Sequence, residues 1–138
     1  MNILFFITPK DKTHFAVEDF TIRQTLEKLE NSGYTSIPII SKDGKYLKTI
    51  TEGDLLRYIK NEHNLTLKDA EKKSILEVSI KKDVKPIYVY ENIEELIDLA
   101  MNQNFVPIID DLNHFIGIVT RKSIISYFYT NNIKEKIK

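Results

Sequence analysis

The chain contains no cysteine. That absence removes disulfide frameworks, thiolate zinc sites and cysteine nucleophiles. Neither sign of charge is in surplus: 20 Lys and Arg face 20 Asp and Glu, for a formal net charge of zero. A general nucleic-acid coat protein needs excess cations to displace counterions from phosphates, so no DNA partner is expected. Long apolar runs are missing as well. The apolar start from Ile3 to Ile7 ends at Thr8-Pro9. With no basic leader and no small-residue cleavage site, it reads as neither signal peptide nor membrane span. The expectation is a cytoplasmic protein that does not enter a membrane. No Gly-x-Ser-x-Gly elbow, P-loop or Rossmann glycine set occurs, so the chain is not expected to be an enzyme.

What is present is a repeat. The 138 residues, 42% hydrophobic and 29% charged, suffice for one domain with a real core and are too few for two independent ones. Within them, Ile37-Pro38-Ile39-Ile40, a turn at Lys42-Asp43-Gly44 and Tyr46 to Thr51 form one hairpin pattern. Val106-Pro107-Ile108-Ile109, Asp110 to Asn113 and Phe115 to Thr120 form a second. Pro38 and Pro107 lie 69 positions apart, and so do Thr51 and Thr120. A constant offset across a whole hairpin is the mark of duplication.

Helical periodicity precedes each hairpin, through Ile22, Leu26 and Leu29 in copy one and Ile93, Leu96, Ile97 and Ala100 in copy two. Here the offset is 71, so copy one carries two extra residues around Gly33. A second helix follows each hairpin, with Leu55, Leu56 and Ile59 matching Ile124, Ile125 and Phe128. Short extended pieces, Phe15 to Val17 and Ile87 to Val89, precede the first helices. Between the copies, Asn61 to Lys85 is polar and Lys-rich, with short helices expected near Leu67 to Lys72 and Ile75 to Val78. No Gly- or Pro-rich linker separates the halves, so the copies are expected to pack face to face as one body. Pro38 and Pro107 are read as first residues of their strands, where no ladder donor is required.

In copy one the diagnostic stretches are Tyr34-Thr35-Ser36-Ile37-Pro38-Ile39 and Thr49-Ile50-Thr51-Glu52-Gly53-Asp54-Leu55-Leu56. In copy two they are Asn104-Phe105-Val106-Pro107-Ile108 and Gly117-Ile118-Val119-Thr120-Arg121-Lys122-Ser123-Ile124-Ile125. This β-α-β-β-α order resembles the CBS-domain family, and the whole chain resembles a tandem CBS pair, or Bateman module. The resemblance implies an α/β (α+β) fold of two CBS repeats, at 7–61 and 79–131, packed with pseudo-twofold symmetry. Residues 62–78 would be a connecting segment with short helices.

It further implies a regulatory module that senses adenine nucleotides (AMP, ADP or ATP) in a cleft between the repeats, with no covalent cofactor. Adenine would lie against Tyr34, Thr35, Ser36, Ile37 and Pro38, and the ribose would be held by Thr51 and Asp54. Phosphates would be held by Lys10, Thr120, Arg121 and Lys122. A homodimer and an effector protein of unknown identity are also implied. The chemistry agrees: an ionised carboxylate is acceptor-only and suits two adjacent hydroxyls, and helix N-terminal amides suit phosphate.

Two departures break the symmetry. Lys48 stands where the family commonly has Gly, and Ser123 stands where the ribose Asp would be. One complete nucleotide site, on copy one, is therefore expected. Gly33-Tyr34-Thr35-Ser36-Ile37-Pro38 together with Thr120-Arg121-Lys122 also resemble the receptors of cyclic di-AMP, whose two phosphates need cations. A ligand-free protein-interaction module is the third reading.

Plainer roles exist for the same residues. Thr51-x-x-Asp54 is also a helix-capping arrangement. Tyr34 reads as a stacking platform or as core, and Lys10 with its equivalent Lys81 as phosphate contacts or as solvated surface. His14, His63 and His114 have no metal-ligand spacing. Glu94-Glu95 and Asp110-Asp111 read as a helix start and a turn, not an acid–base couple.

Overall fold

Helix starts in this chain are written in side-chain acceptors. Thr21 accepts from the Gln24 amide while Gln24 reaches back to the Thr21 N–H, a full capping box. Asn92 caps the matching helix through the Glu95 amide. In the computed structural model, which describes residues 2–61 and 65–137 and side chains as far as residue 132, these caps open α1 (Ile22–Ser32) and α4 (Ile93–Asn102). His63 lies outside the described residues.

Each of these helices is the crossover between two parallel strands, a connection that adjacent parallel strands require. α1 joins β2 (Ala16–Val17) to β3 (Ser36–Ile40), and α4 joins β5 (Ile87–Tyr88) to β6 (Phe105–Ile109). β3 then pairs antiparallel with β4 (Tyr46–Thr51), and β6 with β7 (Phe115–Thr120). The second helices are α2 (Glu52–Asn61) and α5 (Arg121–Ile137). A short α3 (Leu67–Ala70) and a 3-10 turn at Ile75–Glu77 follow α2, where short helices are expected.

The duplication extends to irregularities. The ladder slips between Ile39 and Ile40 and, equivalently, between Ile108 and Ile109, leaving Leu47 and Ile116 as matching bulges. Gly44 (φ 91°) and Asn113 (φ 68°) hold the same left-handed place in the two turns, one that glycine and asparagine adopt at low cost. The two extra residues of copy one are Gly33 and Tyr34. Gly33 ends α1 at φ 73°, its N–H bonded to the Leu29 carbonyl, the usual left-handed helix stop.

One expectation is corrected. Pro38 and Pro107 are the third residues of five-residue strands, not the first. They fit because β2 and β5 reach only the last two residues of each central strand, Ile39–Ile40 and Ile108–Ile109. Among the described residues no strand on that side asks the prolines for a donor.

The chain forms two compact units. One is His14–Asp83; the other combines Met1–Thr13 with Val84–Lys138. The first centres on the sheet β2-β3-β4 and a core of Ile22, Leu29, Ile37, Ile39, Ile50, Leu55, Ile75 and Val78. The second holds the sheet β1-β7-β6-β5, where β1 is Thr8–Pro9, over Ile3, Phe6, Leu96, Val106, Ile108, Val119 and Ile124. Thus the N-terminal residues pack with copy two, and the segment after α2 packs with copy one. Each fully buried Ile or Leu contributes roughly 1.5–3 kcal/mol. Such residues make up much of both cores.

Candidate functional site

The register of β3 on β4 sets Ser36 opposite Thr51, and the Glu52 amide donates to the Thr35 carbonyl at 2.9 Å. The start of the central strand and the start of α2 are thereby stitched side by side. Copy two repeats this, with Phe105 opposite Thr120 and the Arg121 amide on the Asn104 carbonyl. On copy one this sets Thr35 and Ser36 beside Thr51 and the first residue of α2. Tyr34 is not core: it is 41% exposed, edge-on to His14 with ring centroids 5.3 Å apart. Ile37 and Pro38, on opposite faces of β3, are both buried, leaving backbone as the part a ligand could meet.

Asp54 is the centre of this region. Its carboxylate is 2% exposed and carries three donors. Oδ2 accepts the Thr51 N–H at 2.9 Å while Thr51 Oγ1 accepts the Asp54 N–H at 3.0 Å. The pair is a reciprocal cap, as local sequence alone allows. Oδ1 accepts the Lys81 N–H at 3.1 Å and an ion pair from Arg57, one turn further along α2. Sequence reasoning missed Arg57, although its i,i+3 spacing from Asp54 was visible. It also missed the Lys81 amide, because a backbone donor leaves no trace in side-chain pattern.

Asp54, Arg57, Tyr58, Glu77, Ser79 and Lys81 line a cavity of about 320 Å³. Tyr34 to Pro38 are not among the described lining residues. Glu77, which also lines it, accepts from the Tyr58 hydroxyl at 3.2 Å. Nearby, Lys48 Nζ donates to the Val78 carbonyl at 2.9 Å. Burial pushes the Lys48 ammonium below the ordinary lysine range, opposed by the negative charge of Asp54.

The copy-two residues are arranged differently. Thr120 Oγ1 caps the Ser123 amide at 3.1 Å, and Ser123 Oγ turns back to the Thr120 carbonyl at 2.8 Å. Arg121 does not simply project into solvent. Its Nε donates to the Ala100 carbonyl at 2.8 Å and a terminal nitrogen to the Gln103 carbonyl at 3.0 Å, closing the C-terminus of α4, where a cation complements the helix dipole. Lys122 is exposed on the first turn of α5. Lys10 belongs to the same unit, in the 3-10 turn after β1. Gln103 replaces the Gly33 arrangement: its side-chain amide bridges both backbone groups of Lys85 and the Phe105 carbonyl.

Among the described residues no group of His, Asp or Glu could hold a metal ion, and no helix is long and apolar enough to cross a membrane.

Two β-α-β-β-α units, each setting a strand start against a helix start, define a tandem repeat protein. The chain belongs to the CBS domain family, whose model matches residues 9–61 and 75–130; it is a tandem CBS pair. A curated relative, the homoserine O-acetyltransferase of Methanosarcina acetivorans, is 30% identical over 112 residues, spanning 80% of this chain and 19% of that protein. CbpB in complex with c-di-AMP superposes at TM-score 0.86 with 24% identity, covering 99% of this chain and 91% of that one. CBSX2 in complex with AMP gives TM-score 0.76 and 20% identity, over 95% and 98%. Both are similar in fold.

Proposed function

We propose that this chain is a regulatory, non-catalytic module that senses adenine nucleotides, its better site lying on copy one. The observation that carries the reading is Asp54: a nearly buried carboxylate, oriented by the start of α2 and lining a cavity. Such a group is built to accept the hydroxyls of a ribose. Thr51 caps it, and Tyr34 to Pro38 form the adjoining strand start against which a base would lie. CBSX2 binding AMP and CbpB binding c-di-AMP on the same fold support an adenine ligand as the class.

Lys10, Thr120, Arg121 and Lys122 are the phosphate contacts on copy two in this reading. Self-association is part of it, supported by Leu56 and Ile125, equivalent positions that are 70% and 60% exposed. An effector protein would read the change in the cytoplasm.

Titration calorimetry with AMP, ATP and cyclic di-AMP tests the proposal. Micromolar binding by the native chain, lost in Asp54→Ala, is the expected result. No adenine ligand in that range, or affinity unaffected by the substitution, removes its basis. The second reading, a cyclic di-AMP receptor, is favoured by the CbpB likeness and by the Arg121-Lys122 pair. Competition between cyclic di-AMP and ATP ranks the two, and normal cyclic di-AMP binding by Arg121→Ala counts against the second.

A further inference from the structure

Arg57 sits where a helix does not want a cation. It is the sixth residue of α2, yet its guanidinium folds back over the helix start, where the positive end of the dipole lies. One terminal nitrogen pairs with Asp54 Oδ1. The other lies 3.4 Å from where a Cβ on Gly53 would stand, so the group covers the first turn of α2. The two partners are unequally placed: the Asp54 side chain is 2% exposed and that of Arg57 46%. Asp54 is thus the fixed, inner half of the pair. Arg57 is the outer half, facing the cavity that it shares with Ser79 and Lys81.

We propose that Arg57 is the residue by which the copy-one site reads ligand charge. This rests on the reading of Asp54 as the acceptor of ligand hydroxyls. A hydroxyl pair arriving at Asp54 competes for Oδ1, whose charge is what holds Arg57 against the dipole. A nucleoside offers the guanidinium nothing in exchange. A nucleotide brings its own anion to the helix start, where both guanidinium and dipole favour it. Arg57 is therefore a discriminator between phosphorylated and unphosphorylated ligands rather than a source of general affinity.

Calorimetry on the full chain with adenosine and with AMP tests this. Arg57→Ala is expected to weaken AMP about tenfold, the scale of one charge-assisted contact, while adenosine stays within about twofold or binds more tightly. Arg57→Lys keeps the charge and should recover part of the AMP loss. Equal losses for both ligands, or an unchanged AMP affinity, overturn the role given to Arg57 while leaving the nucleotide site standing. If the native chain binds neither compound, the site and the role of Arg57 fall together. Thermal unfolding of both variants separates a folding defect from a change in selectivity, because a folding defect lowers both affinities alike.

Discussion

A Cβ placed on Gly117 would lie 2.4 Å from the backbone oxygen of Thr8. The same atom would meet Ile7 Cγ2 at 2.8 Å. β1 pairs with β7 at this point, Pro9 opposite Gly117, and only a residue without a side chain lets the two backbones close. The equivalent residue of copy one is Lys48. There β4 is an edge strand, and the lysine stem runs out to the Val78 carbonyl instead. The departure of Lys48 from the family pattern is thus a difference in what covers the two sheets.

Gly117→Ala should therefore destabilise the chain by about 1–3 kcal/mol, the cost of overpacking. Backbone rather than a side-chain tip is in the way, so β1 must move. Lys48→Ala, at the equivalent position, should cost under about 1 kcal/mol. Urea unfolding of the two variants checks the contrast; equal losses would mean that β1 does not press on β7 as described.

Asp54 carries structure as well as candidate function. Asp54→Ala leaves the Thr51 and Lys81 amides without their acceptor and Arg57 without its partner. The expected loss is about 2–4 kcal/mol. Ser123→Ala on copy two removes one hydroxyl whose bond among the described residues is to the Thr120 carbonyl, and should cost under about 1 kcal/mol. Denaturation midpoints measured side by side would expose any error in this asymmetry.

Much of this was legible in the sequence, for reasons that differ by element. The 69-residue offset carries both hairpins, because turn residues and strand alternation are local properties. The two extra residues of copy one are visible as a change of offset, and the structure puts them at Gly33 and Tyr34. The position of Pro38 was misjudged because strand length depends on the neighbouring strands, and β2 is only two residues long. The site was half legible. Thr51 and Asp54 follow from spacing, but the Lys81 amide reaches Asp54 across 27 residues, and only the fold brings it there. Arg121 illustrates the opposite problem. Its charge is obvious in the sequence, while its use on the Ala100 and Gln103 carbonyls is not.

Arg121→Ala should loosen the end of α4. Two carbonyls lose their donors and the helix terminus loses a compensating cation, at a cost of about 1–2 kcal/mol. Lysine cannot restore it in full, since one ammonium lacks the fork that spans both carbonyls. Hydrogen exchange at the last turn of α4 is the direct measurement. Protection there that survives Arg121→Ala would show that the guanidinium is not what closes the helix.

Tyr46 gives the fold an alkaline limit. Burial pushes its phenol up from 10.0 to about 12; the hydrogen bond with Thr49 opposes this, and the charge of Asp83 adds to it. The hydroxyl lies 2.8 Å from Thr49 Oγ1, inside the copy-one unit. Because the folded value is the higher one, its stabilising effect is complete below pH 10 and is lost as the pH rises towards 12. Two pH units at 1.36 kcal/mol each make this a loss of about 3 kcal/mol. Tyr46→Phe cannot ionise, so its stability should fall less steeply between pH 10 and 12, although it starts lower for want of the Thr49 hydrogen bond. Urea unfolding at pH 8, 10 and 11.5 compares the two slopes. Parallel slopes would mean that the phenol ionises as readily in the folded chain as in the unfolded one, and that some other group sets the alkaline limit.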